Sequence, residues 1–288
     1  MSKVDFIAHD KLVMDLGNNQ KVSYSVYGKK EGKPILFCHG VNGTRVQSSR
    51  FTEEAYKLGV LIITPDRPGY GETTSVGDRS YLEWAEDMYR FLKNMNVEKI
   101  GILGLSAGAN YALACLYKYP QLFNKAVMVS ATSGAFLYRK GPEKKLAEML
   151  LAHPSLVSLY MGIAYKTNIN GKESRLNLRK IGLSDADWAL FNKLDIPSLM
   201  EMSEKEAFVN GPQPPASDVL RMLKDIDFDS RSITRQVTFW YGAHDRIVPL
   251  EIVAFIEMIV PKYKLVIKSD AGHLLIFQHM KEILSEFI

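Results

Sequence analysis

The hydrophobic and polar positions near the start of the chain alternate with the period of a β-strand. Residues Lys11–Leu16 and Lys21–Tyr27 show this alternation on either side of the turn sequence Gly17-Asn18-Asn19, which predicts a β-hairpin. The next apolar run, Pro34–Cys38, is short and continuous, as in a strand that is covered on both faces. We therefore expect three strands to open the fold, with the third in its interior.

Beyond this point, short apolar runs alternate with longer stretches in which apolar residues recur at helical spacing. The runs predict strands at Val60–Thr64, Lys99–Leu103, Lys125–Val129, Gln236–Tyr241 and Tyr263–Lys268. The stretches predict helices at Gln47–Leu58, Tyr81–Met95, Asn110–Tyr119, Leu250–Val260 and from about Phe277. Such alternation predicts an α/β fold, with a mostly parallel eight-stranded sheet and helices on both faces.

The alternation is interrupted between Ser133 and Ser232, where several amphipathic stretches follow one another without a strand-like run. We interpret residues 133–232 as a helical cap inserted after the sixth strand, and residues 1–132 and 233–288 as the core. The cap is rich in large apolar residues between Phe136 and Phe208. Some of these residues are expected to cover a binding site.

The turn that follows the predicted strand Lys99–Leu103 carries the first candidate for chemistry. Residues Gly104–Gly108 read Gly-Leu-Ser-Ala-Gly, the Gly-x-Ser-x-Gly pattern of a nucleophile elbow, which lifts a serine hydroxyl above the end of a sheet. Glycine is needed there because a helix that packs closely on a strand leaves no room for a Cβ. Ser106 is therefore the candidate nucleophile. The alternative is a glycine-rich turn with an incidental serine.

A serine nucleophile needs a base and a group that orients the base. His273 follows the last predicted strand and is the histidine whose loop position would let it reach the serine. Asp245 follows the strand Gln236–Tyr241 and would orient the imidazole. The alternatives are a solvated loop histidine and an aspartate that only caps the next helix.

The negative charge that develops on the substrate oxygen needs hydrogen-bond donors, which form an oxyanion hole. The backbone N–H of Ala107, directly after the candidate nucleophile, is the first candidate. The second is the N–H of Val41, in the loop His39–Gly43 that follows the strand Pro34–Cys38. The side chain of His39 is expected only to brace this loop.

Together these residues resemble the α/β-hydrolase superfamily. The chain order Ser106, Asp245, His273 matches that family, and so do the loop His39–Gly43 and the turn Asp66–Gly71. The resemblance extends from the first hairpin to the last helix and implies hydrolysis through an acyl-enzyme. Serine at the elbow differs from the aspartate of haloalkane dehalogenases and epoxide hydrolases, and the Gly-Gly-Ser-Trp-Gly elbow of proline iminopeptidases is absent. The charged pair Asp66 and Arg67, which begins the turn Asp66–Gly71, is expected to hold that turn in place rather than to take part in catalysis.

Composition and motifs argue against several other classes of function. The net charge of +4, without a basic run interleaved with aromatic residues, argues against a nucleic-acid partner. There is no apolar stretch long enough to span a membrane, no secretory signal and no disulfide framework, so we expect a cytoplasmic protein without a membrane partner. No metal-ligand spacing, phosphate loop or dinucleotide fingerprint occurs, and we expect neither cofactor nor metal.

The combined expectation is a serine hydrolase, most simply a carboxylesterase acting on small or medium-sized apolar esters. The same triad would serve a thioesterase, lactonase, amidase, carbon–carbon bond hydrolase or perhydrolase. A Lys- and Arg-rich stretch from Arg139 to Lys180 leaves an anionic substrate as an alternative. From another class, a ligand-binding or signalling protein could keep the hydrolase fold with little turnover. The sequence leaves the oligomeric state open between monomer and homodimer.

Overall fold

Eight strands form one sheet in the computed structural model, which describes residues 5–133, 141–170 and 182–288. The strands are β1 (Phe6–Gly17), β2 (Gln20–Lys29), β3 (Lys33–Cys38), β4 (Val60–Pro65), β5 (Ile100–Leu105), β6 (Phe123–Val129), β7 (Val237–Gly242) and β8 (Tyr263–Lys268). They lie in the order β1-β2-β4-β3-β5-β6-β7-β8. β2 pairs antiparallel with β1 and β4, and the remaining neighbours are parallel. The predicted α/β fold is confirmed.

Helices cover both faces of this sheet. In chain order, the α-helices of the described residues are α1 (Thr52–Leu58), α2 (Tyr81–Asn94), α3 (Gly108–Lys118), α4 (Pro142–Ala152), α5 (Pro154–Asn170), α6 (Asp185–Lys193), α7 (Ile196–Ala207), α8 (Gln213–Leu223), α9 (Ile256–Ile259), α10 (Leu275–Gln278) and α11 (Met280–Ser285). Successive residues of a strand point to opposite faces. Accordingly Ile102 of β5 packs in an apolar cluster with Trp84 of α2, whereas Leu103 packs in a second cluster with Leu284 of α11.

Three of the helices predicted from the sequence are divided in the structure. A 3₁₀ helix, Arg45–Phe51, precedes α1, another, Leu250–Phe255, precedes α9, and α10 and α11 are separate. In the first case, the Ser48 and Thr52 hydroxyls donate to the carbonyl oxygens of Arg45 and Ser49, three residues earlier. Such local bonds compete with the regular helix and favour the tighter 3₁₀ turn.

The segment between β6 and β7 consists of helices α4 to α8 and a short 3₁₀ helix, Ser230–Ser232, within the residues that the structure describes. No strand occurs among those residues, as the sequence predicts. Residues 134–140 and 171–181 lie outside the described part, and with them Phe136 and much of the basic stretch from Arg139 to Lys180. The division into core and cap stays a prediction.

The helices of the described residues differ in whether they could cross a membrane. Taken singly, none of their helices has both the length and the apolar character that a bilayer crossing requires. The bent pair Lys144–Ala152 and Pro154–Thr167 meets the length and composition criteria when its two parts are joined.

Candidate active site

Ser106 lies in the turn between β5 and α3, with its backbone in the left-handed region at a φ of 53°. This conformation is uncommon for a residue with a side chain and is found where a surrounding structure enforces it. Here the Ser106 N–H donates to the carbonyl of Val129 on the neighbouring strand, at 2.9 Å. Gly108 lets α3 approach β3, because a Cβ at that position would lie 2.1 Å from the Cys38 carbonyl oxygen. The sequence pattern therefore has the geometry of a nucleophile elbow.

His273 and Asp245 form a hydrogen-bonded pair. The His273 Nδ1 and Asp245 Oδ2 atoms are 2.9 Å apart, and the Asp245 carboxylate is buried. The other carboxylate oxygen accepts the N–H groups of Ile247 and Val248, at 2.9 and 2.8 Å. One carboxylate thus bonds both to the histidine and to its own loop. The helix that follows, Leu250–Phe255, has Pro249 as its N-cap residue, so the alternative that Asp245 caps that helix is not observed. The loops meet because β7 and β8 are parallel neighbours.

Ser106 and His273 line the same cavity, which has a volume of about 270 Å³. Its polar lining residues include Asn42, Gln47, Thr132, Ser203 and Glu204. Its apolar lining residues include Leu105, Leu199, Met200, Met222, Ile247, Leu274, Ile276 and Phe277. No hydrogen bond joins Ser106 Oγ to His273 in the described part of the chain. Such bonds are often long in a free enzyme and tighten when substrate binds.

Val41, in the loop after β3, lines this cavity. The Gly40 carbonyl accepts a hydrogen bond from Arg67 Nη2, at 2.7 Å. In a trans peptide the C=O and the following N–H point in opposite directions, so the Val41 N–H is directed away from Arg67. Among the described residues, neither this N–H nor that of Ala107 has a hydrogen-bond acceptor. Both predicted oxyanion donors are therefore available.

Arg67 holds the loop that carries Val41. Its Nη1 and Nη2 atoms donate to the carbonyls of His39 and Gly40, at 2.6 and 2.7 Å, and its Nε donates to Asp218 at 2.6 Å. Arg67 is 2% exposed and Asp218 is 8% exposed, so this ion pair is buried. A buried guanidinium with these three acceptors has little freedom to move. The loop geometry consequently depends on a residue of α8.

Asp218 is a residue of the site that no sequence motif indicates. Its carboxylate also accepts the hydroxyls of Tyr70 and Tyr111, at 2.6 and 2.8 Å. It lies 151 residues from Arg67 along the chain, and no local pattern connects the two. Asp66, the neighbour of Arg67, bonds instead to Arg45 at 2.6 Å. The two charged residues thus brace their surroundings, as expected, but each does so with a different partner.

His39 braces the same loop in its neutral form. Burial first, and the charge of Arg67 second, hold the pKa of His39 well below its usual range. Its Nδ1 lies 3.1 Å from the Gly40 carbonyl oxygen, and its Nε2 has no hydrogen-bond partner in the described structure. A histidine so enclosed cannot reach a substrate, which fits the bracing role predicted for it.

The two cysteines and the acidic residues offer no second kind of chemistry here. Cys38 and Cys115 are buried, and burial raises the pKa of each thiol, which keeps both in the unreactive protonated form. Within the described ranges, no group of three or more His, Cys, Asp or Glu side chains is placed to hold a metal ion.

Comparison with known proteins shows which family this architecture belongs to. The family model for the α/β hydrolase fold matches residues 33–280. The chain is 29% identical over 187 residues to the uncharacterized hydrolase YcgS of Bacillus subtilis, and this match covers 65% of the chain and 63% of that relative. It is 32% identical over 135 residues to ethanol acetyltransferase 2 of Hanseniaspora uvarum, covering 44% of the chain and 37% of that enzyme. The chain thus spans less than two thirds of the length of either relative.

A solved structure shows the same fold over nearly the whole chain. The bromoperoxidase of Bacillus anthracis superimposes with a TM-score of 0.72 at 17% identity, covering 96% of this chain and 99% of that one. The family match covers most of the chain. The strand order and the serine turn after β5 are consistent with it. The chain belongs to the α/β-hydrolase fold family.

Proposed function

We propose that this protein is a serine hydrolase that cleaves carboxylic esters through an acyl-enzyme intermediate. One observation carries the proposal: Ser106, on its left-handed turn, lines the same cavity as His273, and the His273 Nδ1 atom is hydrogen-bonded to Asp245. A nucleophile, a base and a group that orients the base are the parts that acyl transfer requires.

Ser106 Oγ attacks the acyl carbon, and His273 Nε2 takes the hydroxyl proton. Asp245 holds Nδ1 protonated, which leaves Nε2 free to accept. The negative charge on the former carbonyl oxygen is stabilised by the N–H groups of Val41 and Ala107. Such donors are typically worth about 2.7–4 kcal/mol each in the transition state. The imidazolium then protonates the leaving alcohol, and water repeats the sequence to release the acid.

The cavity favours a small or medium-sized, uncharged, apolar ester. Its volume of about 270 Å³ lies just below the usual range for small-molecule sites, which begins at about 300 Å³. Leucine, isoleucine, methionine and phenylalanine side chains supply much of its wall, so an acyl chain would be removed from water on binding. Thioesters and lactones offer the same acyl carbon and are included in the proposal as alternative substrates.

Acyl transfer to an alcohol is a second candidate. The apolar lining beside Ser106 would also accept an alcohol in place of water at the second step. The partial match to an ethanol acetyltransferase motivates this candidate. In the presence of ethanol, a transferase would release ethyl ester from an activated acyl donor, whereas a hydrolase would release chiefly the free acid.

The proposal is tested by turnover of p-nitrophenyl esters of increasing acyl length, with Ser106→Ala and His273→Ala as matched variants. We expect steady release over many cycles by the wild type, a preference for short or medium chains, and loss of most turnover in both variants. Wild-type release no faster than that of Ser106→Ala would refute the proposal. A single burst with retained product would instead favour a ligand-binding protein.

A further inference from the structure

We propose that Asp187, on α6, is a positioning residue for His273. This inference rests on the proposed function, in which His273 is the base. Asp245 fixes the imidazole ring through Nδ1, but a ring also needs a fixed backbone beneath it. That backbone is bound by a carboxylate from the segment between β6 and β7.

The contact is made by both oxygens of the Asp187 carboxylate. Oδ2 accepts the backbone N–H of His273 at 3.0 Å, and Oδ1 accepts the backbone N–H of Leu274 at 2.7 Å. Asp187 is 1% exposed, so these bonds are shielded from water. Bonds from backbone N–H groups to a buried carboxylate are charge-assisted and stronger than neutral ones.

The carboxylate is itself held in place by its own helix. Ser184 caps α6, and both its N–H and its hydroxyl donate to Asp187 Oδ2, at 3.3 and 2.7 Å. Gly272 makes the approach to the histidine loop feasible, because a Cβ there would lie 2.1 Å from Oδ2. The carboxylate thus joins the start of α6 to the backbone of His273 with little freedom on either side.

Apolar packing supports the same junction. Leu274 lies in a cluster with Leu183, Phe191 and Ile196, at and around α6 and α7. On the opposite side, the Ser130 hydroxyl donates to the His273 carbonyl at 3.1 Å. Asp187 therefore binds the N–H of the peptide group on each side of His273, and Ser130 binds the carbonyl of the second one. Withdrawal of α6 would remove these bonds and release the backbone of His273.

The test compares Asp187→Asn with Asp185→Asn, an exposed carboxylate in the first turn of the same helix. Asparagine has the same shape as aspartate, but an NH₂ group replaces one carboxylate oxygen. This donor would face a backbone N–H, which is also a donor, so one of the two hydrogen bonds would be lost. We expect kcat to fall by about 10- to 100-fold with KM nearly unchanged, because a small displacement of a catalytic group has an effect of this size. We expect Asp185→Asn to keep wild-type kcat.

A second variant, Gly272→Ala, keeps the carboxylate but blocks its approach, and it decides the matter if Asp187→Asn does not fold. Rates are normalised to the fraction of native protein, measured by near-UV circular dichroism. Wild-type kcat in natively folded Asp187→Asn or Gly272→Ala would overturn the inference, as would an equal loss in Asp185→Asn. None of these outcomes contradicts the proposed function, provided that the wild type hydrolyses esters over many cycles and Ser106→Ala does not.

Discussion

The two oxygens of Asp245 have different partners, and this division explains why a carboxylate is needed at this position. Oδ1 serves two backbone N–H groups of its own loop, and Oδ2 faces His273 Nδ1. An asparagine would keep Oδ1 on the loop and turn its NH₂ group toward the ring. The ring would then carry its proton on Nε2, where it could not accept the proton of Ser106.

We therefore expect Asp245→Asn to reduce kcat by about 10³- to 10⁴-fold, as for a triad histidine in the wrong tautomer. The loop bonds survive in this variant, so its urea midpoint should stay close to that of the wild type. Ester turnover and urea unfolding of the same preparation test both statements. A variant with near-wild-type kcat would show that Asp245 only caps its loop.

At the scale of elements, the close packing of α3 on the end of β3 sets the height of Ser106 above the sheet. Gly108 is the contact point, since a Cβ there would lie 2.1 Å from the Cys38 carbonyl oxygen. The neighbouring atoms belong to the backbone and cannot rotate away. A methyl group at this position must displace the helix, the strand or both.

We expect Gly108→Ala to lower the free energy of unfolding by about 1–3 kcal/mol, the usual effect of overpacking, and to reduce kcat as well. Gly182→Ala is the matched control, because nothing lies within 4 Å of a Cβ built there. Urea unfolding of the two variants tests this account. Equal stabilities would contradict the close approach of α3 and β3.

Strands and parallel order were predictable from the sequence because each buried strand is a continuous apolar run bounded by turn residues. The serine, aspartate and histidine were predictable because each follows a strand at the same edge of the sheet. The positions at which a predicted α-helix becomes a 3₁₀ helix could not be predicted from the sequence. In Gln47–Leu58, hydroxyl groups of Ser48 and Thr52 bond to the backbone, and the apolar period does not contain that information.

At the scale of the whole molecule, the bonds that cross from the segment between β6 and β7 to the site could not be predicted. Asp187 and His273 are 86 residues apart, and Arg67 and Asp218 are 151 apart. The capping box Ser184-x-x-Asp187 is visible in the sequence as a helix start. Which distant N–H groups the same carboxylate binds depends on tertiary packing alone.

The burial of His39 makes the stability of the whole protein depend on pH. Its folded-state pKa is lowered well below the usual value by burial and by Arg67. As the pH falls below about 6.5, the unfolded chain binds a proton at His39 that the folded protein does not bind. Its contribution to stability is therefore present above that pH and is lost in acid.

We expect the wild type to lose more unfolding free energy than His39→Asn between about pH 7.5 and about pH 5, because only the wild type has this buried imidazole. Replacement of the exposed His9 by Gln is the control for the loss of a histidine from the chain. Urea unfolding at the two pH values measures the difference. An identical pH dependence in wild type and His39→Asn would contradict a neutral, buried His39.

The central claim is that Ser106 is an activated nucleophile, and covalent labelling by a fluorophosphonate tests it most directly. Intact mass and peptide mapping of wild type and Ser106→Ala, both natively folded, report where the label attaches. The account predicts a single adduct on Ser106 in the wild type and none in the variant. No adduct on folded wild-type protein, or equal labelling of Ser106→Ala, would contradict it.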